Sequence, residues 1–200
     1  VSTLVTHLGI PEGFVNAAAV NNQAVPLDTP LHDGDEISLF PPAAGGQFHH
    51  TFHVFIAGVM QGQRHDDQIE AQDYRRQITQ ALRTSYPHVT ITDPWALHPN
   101  SVHYDEATAR KTFLTMTQRA GQVDALIAYL PQVSMGTAME MWEAHQNNVF
   151  VVAVTPFVHH WAIRFTADLI LPTLDELFEL LANGRFHQLI QQKKENTQTP

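Results

Sequence analysis

The sequence has no cysteine, which excludes a disulfide, a thiolate nucleophile and a zinc site built on cysteine. Basic residues are also few: 11 lysines and arginines stand against 20 aspartates and glutamates, giving a formal net charge of −9. A surface of that sign disfavours nonspecific binding to nucleic acid or to an anionic membrane, so we expect neither as a partner. It remains compatible with a small nucleotide that is held by a few local donors.

Long hydrophobic runs are missing as well. The longest strongly apolar segment, residues 149–154, is far too short to span a bilayer. The chain begins with Val1 and shows no secretory signal there, so we expect a cytoplasmic protein whose chain is a fragment or a processed product. What is present is 200 residues with 44% hydrophobic content, which suits one ordinary domain plus a small appendage.

Residues 1–46 are predicted to form a unit of their own, made of short elements separated by turns. The expected elements are a helix ending at Gly9, strands over 14–20, 24–27 and 36–40, and turns at Asn21-Asn22 and Asp33-Gly34-Asp35. The segment closes with Gly45-Gly46.

The segment carries a characteristic set of residues: Val20-Asn21, Pro26-Leu27, Leu31, residues 33–37, Phe40-Pro41-Pro42 and Gly45-Gly46. In these residues it resembles the later part of the β-grasp sulfur carriers of molybdopterin and thiamin biosynthesis. The resemblance implies an incomplete β-grasp sheet, because the family's first hairpin is missing.

In that family the terminal glycine is adenylated and then thiocarboxylated, which implies a protein partner for this segment. Here Gln47 follows Gly46, so the glycine carboxylate lies within a peptide bond. Either a protease frees it, or the segment is now a docking or regulatory appendage. The alternative for Gly45-Gly46 is a flexible linker.

Residues 47–190 alternate strands with helices, and a polar tail that we expect to be frayed follows at 191–200. Strands are predicted over 51–57, 89–92, 124–130, 149–154 and 169–171, with helices that begin at Asp66 or Asp67, Asp105, after Ser134 and at Thr173. The alternation predicts a flavodoxin- or Rossmann-like α/β fold, a doubly wound parallel sheet of five strands in the order 2-1-3-4-5. Loops 58–64, 93–101, 132–136 and 155–160 then share one edge of the sheet.

The segment 124–144 is the most informative part of the chain. An apolar strand ends at Pro131, a loop with Ser134 and Gly136 follows, and a helix then carries Glu140. Open α/β sheets bind ligands at the carboxyl ends of their strands, and a helix N-terminus favours anions. We interpret this segment as an active site, with Glu140 directed into the crevice from the first or second helical turn. The alternative is a capping box, in which Thr137 is the cap and Glu140 bonds a backbone N–H group.

A set of residues between about 52 and 182 forms a recognisable pattern: Ile56-Ala57-Gly58 with Gly62, Asp124, the motif Ser134-Met-Gly136-Thr-Ala138-Met-Glu140, and Glu143-Ala144. In these residues the sequence resembles the nucleoside 2-deoxyribosyltransferase superfamily, including its hydrolytic branch, the deoxynucleoside 5′-monophosphate N-glycosidases. The resemblance implies an enzyme that cleaves or transfers an N-glycosidic bond, with Glu140 as the nucleophile at the anomeric carbon. It also implies a homo-oligomer, a nucleoside or nucleotide as ligand, and no cofactor.

The resemblance places Ser134 against the 5′ end of the sugar. The nucleotide branch has serine at that position, whereas an aspartate there would repel a phosphate, so a 5′-monophosphate is favoured. The N-terminus of the helix is expected to keep Glu140 ionised.

Further candidates come from the loops. Gly58, Gly62, Arg64, His98 and Asn100 are predicted to contact substrate, although a loop arginine can equally be a solvated charge. Asp93 is a candidate acid or base, and capping the turn at Asp93-Pro94 is the alternative. The thirteen histidines show no metal-ligand spacing, so no metal is expected.

Three departures from the superfamily leave a different function open. Phe55 stands about where the family has a tyrosine that orients the nucleophile, and Val59 and Gln61 replace a serine and an arginine of the nucleotide branch. Residues 114–117 carry no second carboxylate. The alternative is therefore a nucleotide-binding module that does not turn its ligand over.

Overall fold

The computed structural model describes residues 1–10, 15, 17–21, 23–40, 51–66 and 68–198. The chain divides into two compact units, Val1–Gly46 and Gln47–Pro200. The Gly45-Gly46 pair, the start of the strand predicted from residue 14, and Asp67 lie outside the described residues.

The first unit contains helix α1 (Ser2–His7) and strands β1 (Ala17–Val20), β2 (Gln23–Val25) and β3 (Ile37–Phe40). The strands form an antiparallel sheet in the order β2-β1-β3, with β1 in the centre. The turn between β1 and β2 uses Asn21 in a left-handed conformation with a φ of 51°, which asparagine tolerates better than most residues. The Asn21 side chain donates to Asp35 Oδ1 over 2.8 Å and accepts from the Glu36 N–H over 3.0 Å, which ties the two turns together.

The second unit is an α/β domain. Its strands are β4 (His53–Gly58), β5 (Thr90–Thr92), β6 (Ala125–Tyr129), β7 (Phe150–Val154) and β8 (Leu169–Leu171). Its helices are α2 (Asp73–Ser85), α3 (Pro94–Leu97), α4 (Glu106–Ala120), α5 (Met135–Gln146), α6 (Trp161–Arg164), α7 (Leu174–Ala182) and α8 (Arg185–Gln198), with a 3₁₀ turn at Ser101–His103. All strand pairs are parallel and the order is β5-β4-β6-β7-β8, which confirms the predicted order 2-1-3-4-5.

Helices cover both faces of this sheet, which explains why its central strands are apolar throughout. Val54 and Ile56 of β4 pack with residues of α2, α7 and α8 on one face. Phe55 and Ala57 point to the other face and pack with residues of α4, α5 and α6. No described helix is long and apolar enough to cross a membrane.

Helix α2 begins at Asp73, later than the predicted start at Asp66 or Asp67. Both carboxylate oxygens of Asp66 accept from the Arg64 guanidinium, over 2.7 and 2.6 Å, so Asp66 belongs to a loop contact and does not cap the helix. The structure also corrects the expected frayed tail, since α8 continues to Gln198. Lys193 pairs with Asp168 over 2.6 Å and Lys194 pairs with Asp124 over 2.5 Å, which fastens this helix to the amino ends of β8 and β6.

Candidate active site

A cavity of about 680 Å³ lies at the carboxyl edge of the sheet. Its walls come from the segments that follow β4, β5 and β6, together with α4 and α5. After β4 the chain forms β5 on one side of it and then crosses to form β6 on the other side, so this is the switch point of the sheet, where such folds bind ligands. Among the predicted site residues, those that line the cavity are Gly58, Gly62, His98, Ser134, Gly136 and Glu140.

Other predicted positions lie elsewhere. Arg64 is paired with Asp66, and Asn100 is exposed, and neither lines the cavity. Loop 155–160 follows β7 and contributes none of the described lining residues. The loops after three neighbouring strands converge, and the loop after the fourth stands apart because β7 is one strand further along the sheet.

Glu140 lies on the second turn of α5. The helix begins at Met135, and the cap is Ser134, whose Oγ accepts from the Thr137 N–H over 3.4 Å and from Thr137 Oγ1 over 3.0 Å. The capping-box alternative, with Thr137 as the cap and Glu140 as its partner, is therefore wrong. Glu140 is released from any capping duty and lines the cavity instead.

Burial raises the pKa of Glu140 to about 8, an effect that the nearby Arg75 guanidinium opposes and the Asp93 carboxylate reinforces. The expectation that the helix N-terminus keeps this carboxylate ionised is wrong. The dipole acts within the first turn, and Glu140 lies beyond it in a place where loss of hydration dominates. Glu140 is consequently protonated in most molecules at neutral pH.

Arg75 is the residue that the sequence did not reveal. Its side chain, from α2, is only 3% exposed, yet every guanidinium nitrogen donates a hydrogen bond. The bonds run from Nη1 to Asp93 Oδ1 (2.8 Å) and Ile56 O (2.8 Å), from Nη2 to Gly58 O (3.2 Å) and Met60 Sδ (3.8 Å), and from Nε to Gln72 Oε1 (2.6 Å). In the sequence Arg75 stands beside Arg76 and resembles a solvated pair. The available signal was its position three residues before buried Ile78, which puts it next to the apolar face of α2.

One carboxylate oxygen of Asp93 accepts hydrogen bonds from two donors. Its Oδ1 accepts from the Trp95 N–H over 3.0 Å, so Asp93 caps α3. Capping was the alternative interpretation of this residue from the sequence. The same oxygen accepts from Arg75, and the Asp93 side chain is 11% exposed. The cap and the ion pair together fix this carboxylate beside the cavity, next to the lining residue Pro94.

Glycine suits two positions, one at the end of β4 and one in the loop that follows it. A Cβ added at Gly58 would lie 2.3 Å from the Oη atom of Tyr74, a buried side chain whose pKa desolvation raises to about 12. Gly62 has a φ of +58°, and a Cβ there would lie 2.6 Å from Gln132 Nε2. Glycine at position 58 thus leaves room for Tyr74, and glycine at position 62 adopts a left-handed backbone that other residues adopt with strain.

The remaining cavity wall is mostly apolar. Its large side chains are Met60, Met116, Met135, Met139 and Phe113. Met135 is 87% exposed and Met139 is 46% exposed, whereas Met141 of the same helix is buried. The polar part of the wall includes His98, whose Nδ1 lies 3.1 Å from the Tyr104 hydroxyl.

The positions at which the sequence departs from the superfamily have clear places in the fold. Phe55 is fully buried in the face of the sheet that α4 and α5 cover. Helix α4 lines the cavity with Ala109, Thr112, Phe113 and Met116, so no carboxylate of α4 faces it. Among the described residues, no group of three or more histidines and carboxylates could hold a metal ion.

A known family model matches the first part of the chain. Residues 1–46 match the model of the ThiS family, which confirms the sulfur-carrier-like segment. No curated protein matches the chain.

Two solved structures are similar to the larger part. One is a 2-deoxyribosyltransferase from Bacillus psychrosaccharolyticus, at 13% identity over 63% of this chain and 90% of that one, with a TM-score of 0.48. The other is a conserved protein from Enterococcus faecalis V583, at 16% identity over 66% of this chain and 98% of that one, with a TM-score of 0.47. Neither comparison assigns a role to any residue of this chain.

Proposed function

We propose that the second unit cleaves or transfers the N-glycosidic bond of a 2-deoxynucleoside, or of its 5′-monophosphate, through Glu140 as the nucleophile. The observation that carries this proposal is the position of Glu140. It is a carboxyl side chain that does not cap its helix, on the wall of a cavity at the switch point of a doubly wound sheet.

The cavity suits such a ligand in size and chemistry. About 680 Å³ lies within the usual range for sites that enclose a small molecule. The apolar wall around Met139 and Phe113 offers a surface for a planar base. At the other end, Ser134 and Gly136 stand at the start of α5, where backbone N–H groups and the helix dipole favour an anion such as a phosphate.

The chemistry needs one carboxylate and one proton. An ionised Glu140 oxygen attacks the anomeric carbon, the bond from that carbon to the base nitrogen breaks, and the electron pair leaves with the base, which takes up a proton. Water or a second base then attacks the same carbon and releases Glu140. His98 lines the cavity and is a suitable contact for the leaving base, whereas Arg64 and Asn100 stay sequence predictions outside its wall. Asp93 acts beside Glu140 as a fixed negative charge.

The raised pKa of Glu140 makes this mechanism depend on pH. With a pKa of about 8, about one molecule in ten has Glu140 ionised at pH 7. If Glu140 is the nucleophile, kcat/KM should therefore rise with pH up to about 8. A group that acted only as a proton donor would give the opposite slope.

The direct experiment incubates the protein with a panel of deoxynucleosides and their 5′-monophosphates at pH 8 and detects free base by chromatography. We expect base release, with monophosphates preferred. Folded protein that releases no base from any member of the panel, alone or with an acceptor base present, would rule out the enzyme.

A second function, nucleotide binding without turnover, is favoured by two observations. Glu140 is mostly protonated at neutral pH, and α4 presents no second carboxylate to the cavity. Thermal-shift titration with nucleoside monophosphates distinguishes the two functions. A stabilised protein that releases no base at any pH would be a binding module.

For the first unit we propose a protein partner, on the basis of its match to the ThiS family. Processing after Gly46 would create a free Gly-Gly end, and an uncut chain would use the unit as a docking or regulatory appendage. Intact-mass measurement of the protein from its native host decides between them. A chain that is never cut after Gly46 excludes sulfur-carrier activity.

A further inference from the structure

Strands β4 and β5 separate at the edge where the cavity opens. Their pairing ends at Phe55 and Thr92, whereas β4 continues to Gly58. On its other side β4 remains paired with β6 up to Gly58 and Tyr129. The last three residues of β4 therefore have a strand neighbour on the β6 side and have none on the β5 side.

The Arg75 guanidinium lies beside the last residues of β4, on the side that faces β5. Its two terminal nitrogens donate to the carbonyl oxygens of Ile56 and Gly58, which are alternate residues of β4 and so point to the same side. Because buried carbonyl groups need partners, the guanidinium replaces the bonds that a longer β5 would supply. It can do so because its planar fork presents several donors in a fixed geometry.

The same guanidinium also contacts two residues at the cavity. Nη1 also donates to Asp93, the first residue after β5, and Nη2 contacts Met60 Sδ on the cavity wall. Gln72, which accepts from Arg75 Nε, donates to Val59 O over 3.0 Å and so fixes the loop after β4. One buried cation thus connects the ends of two strands and the first loop of the site.

We infer that Arg75 is a positioning residue of the site: it holds β4 and β5 apart where the cavity opens and fixes the Asp93 carboxylate beside Glu140. Arg75 itself is enclosed by protein and acts through the groups it holds. This inference rests on the proposed function for its kinetic part, but its structural part concerns the charge balance around Glu140 and can be measured without any turnover.

The charges around Glu140 make the inference testable. Arg75 and Asp93 act on its carboxyl with opposite signs, Tyr74 lies near it from α2, and His98 and Tyr104 line the same cavity. Helix α4 lines the cavity with uncharged side chains. If Arg75 and Asp93 are held as a pair against Glu140, removing each charge should move the Glu140 titration in opposite directions.

The experiment compares Arg75→Gln, Arg75→Lys and Asp93→Asn in the full chain. Glutamate carboxyl carbons are labelled with ¹³C, and the Glu140 signal is identified by its loss in Glu140→Gln. We expect the titration midpoint to rise by at least about half a unit in Arg75→Gln and to fall by a similar amount in Asp93→Asn. Arg75→Lys keeps the charge and should stay closer to wild type. Arg76→Gln is the matched control, since Arg76 is 80% exposed and pairs only with Asp73 among the described contacts.

The pH profile of kcat/KM should shift in the same directions, and Arg75→Lys should lose several-fold in kcat/KM because an ammonium cannot span both carbonyls and Asp93. A midpoint that stays within about 0.2 units in every variant, with melting temperature lowered, would show a merely structural arginine and overturn the inference. If Arg75→Gln does not fold, the Asp93→Asn and Arg75→Lys titrations decide alone. A shifted Glu140 titration in a protein that releases no base would refute the proposed enzyme and leave this inference standing.

Discussion

The two units of this chain are stabilised in different ways. In the second unit, a parallel sheet is covered on both faces, and large side chains such as Ile127 and Leu126 are completely buried on opposite sides of one strand. In the described part of the first unit, the buried hydrophobic residues are Val1 and Ala18. Its sheet is held instead by turn contacts, of which the bonds of Asn21 with Asp35 and Glu36 are the clearest.

This difference in packing shows which unit can hold buried charged groups. A sheet that is packed on both faces can hold a buried arginine and a carboxyl group with a shifted pKa, because the surrounding core supplies the energy to desolvate them. A three-stranded sheet with little core cannot supply the free energy that desolvation of a charged group costs. It is better suited to present a surface or a tail to a partner.

One carboxyl group in each unit should link stability to pH, and the two groups act in opposite directions. The backbone N–H of His32 and the Asn21 amide hold the pKa of Asp35 below its usual value. The stability that this carboxylate adds is present above its unfolded pKa and is lost as the pH falls. Glu140 has a raised pKa of about 8, so the stability linked to its protonated form is present at low pH and is lost as the pH rises from its unfolded value toward 8.

The largest expected effect tests whether the chemistry belongs to the second unit. Glu140→Gln keeps the shape of the side chain and removes the attacking oxygen anion, so turnover should fall by at least about a thousandfold with ligand binding retained. Turnover is measured by base release and binding by calorimetry.

Glu143→Gln is the control for that experiment. Glu143 lies one turn further along α5, where its Oε1 accepts from Asn147, and it does not line the cavity. It should be largely dispensable. Loss of turnover in Glu143→Gln with activity kept in Glu140→Gln would reject the assignment of the nucleophile.

The next effect compares the two cores. Leu126→Ala leaves a hole in a fully buried place and should lower the free energy of unfolding of the second unit by about 2–5 kcal/mol. Leu39→Ala in the half-exposed β3 should cost its own unit less than about 1.5 kcal/mol. All three tryptophans lie in the second unit, so fluorescence during urea unfolding reports that unit, and amide exchange of β1 reports the first. Equal losses in both units would contradict the difference in packing.

A smaller effect concerns pH. Because loss of hydration opposes ionisation of the Glu140 carboxyl, Glu140→Gln should stabilise the second unit at pH 8 and have almost no effect at pH 4. Melting curves of both proteins across this pH range measure the difference. A stability difference that does not change with pH would mean that Glu140 is hydrated like an ordinary surface glutamate.

The smallest effect lies in the first unit. Asn21→Ala removes two hydrogen bonds and places alanine at a φ of 51°, which should cost about 1–2 kcal/mol. Asn21→Gly removes the same bonds without the backbone strain and should cost less. Amide exchange in β1 and β2 measures both, and neither variant should alter the melting of the second unit. A larger loss in Asn21→Gly would show that strain at this turn is negligible.

Much of the fold was predictable because its signals are local. Apolar strands such as the one that ends at Pro131, and caps such as Asp105 and Thr173, are encoded within a few residues of each other. The strand order followed from their alternation with helices. The helix start near Asp66 was predicted wrongly, because a carboxylate before a helical pattern looks the same whether it caps the helix or binds a nearby arginine.

The candidate site, like the fold, was predictable from the sequence only in its local features. The sequence by itself determined the strand–loop–helix unit that presents Ser134, Gly136 and Glu140, because that spacing is read within one short segment. Only the tertiary structure decided that loss of hydration raises the pKa of Glu140 and that Arg75 joins the ends of β4 and β5. Those properties depend on which groups from distant parts of the chain displace water around a side chain, and burial and charge pairing of that kind leave no periodic trace in the sequence.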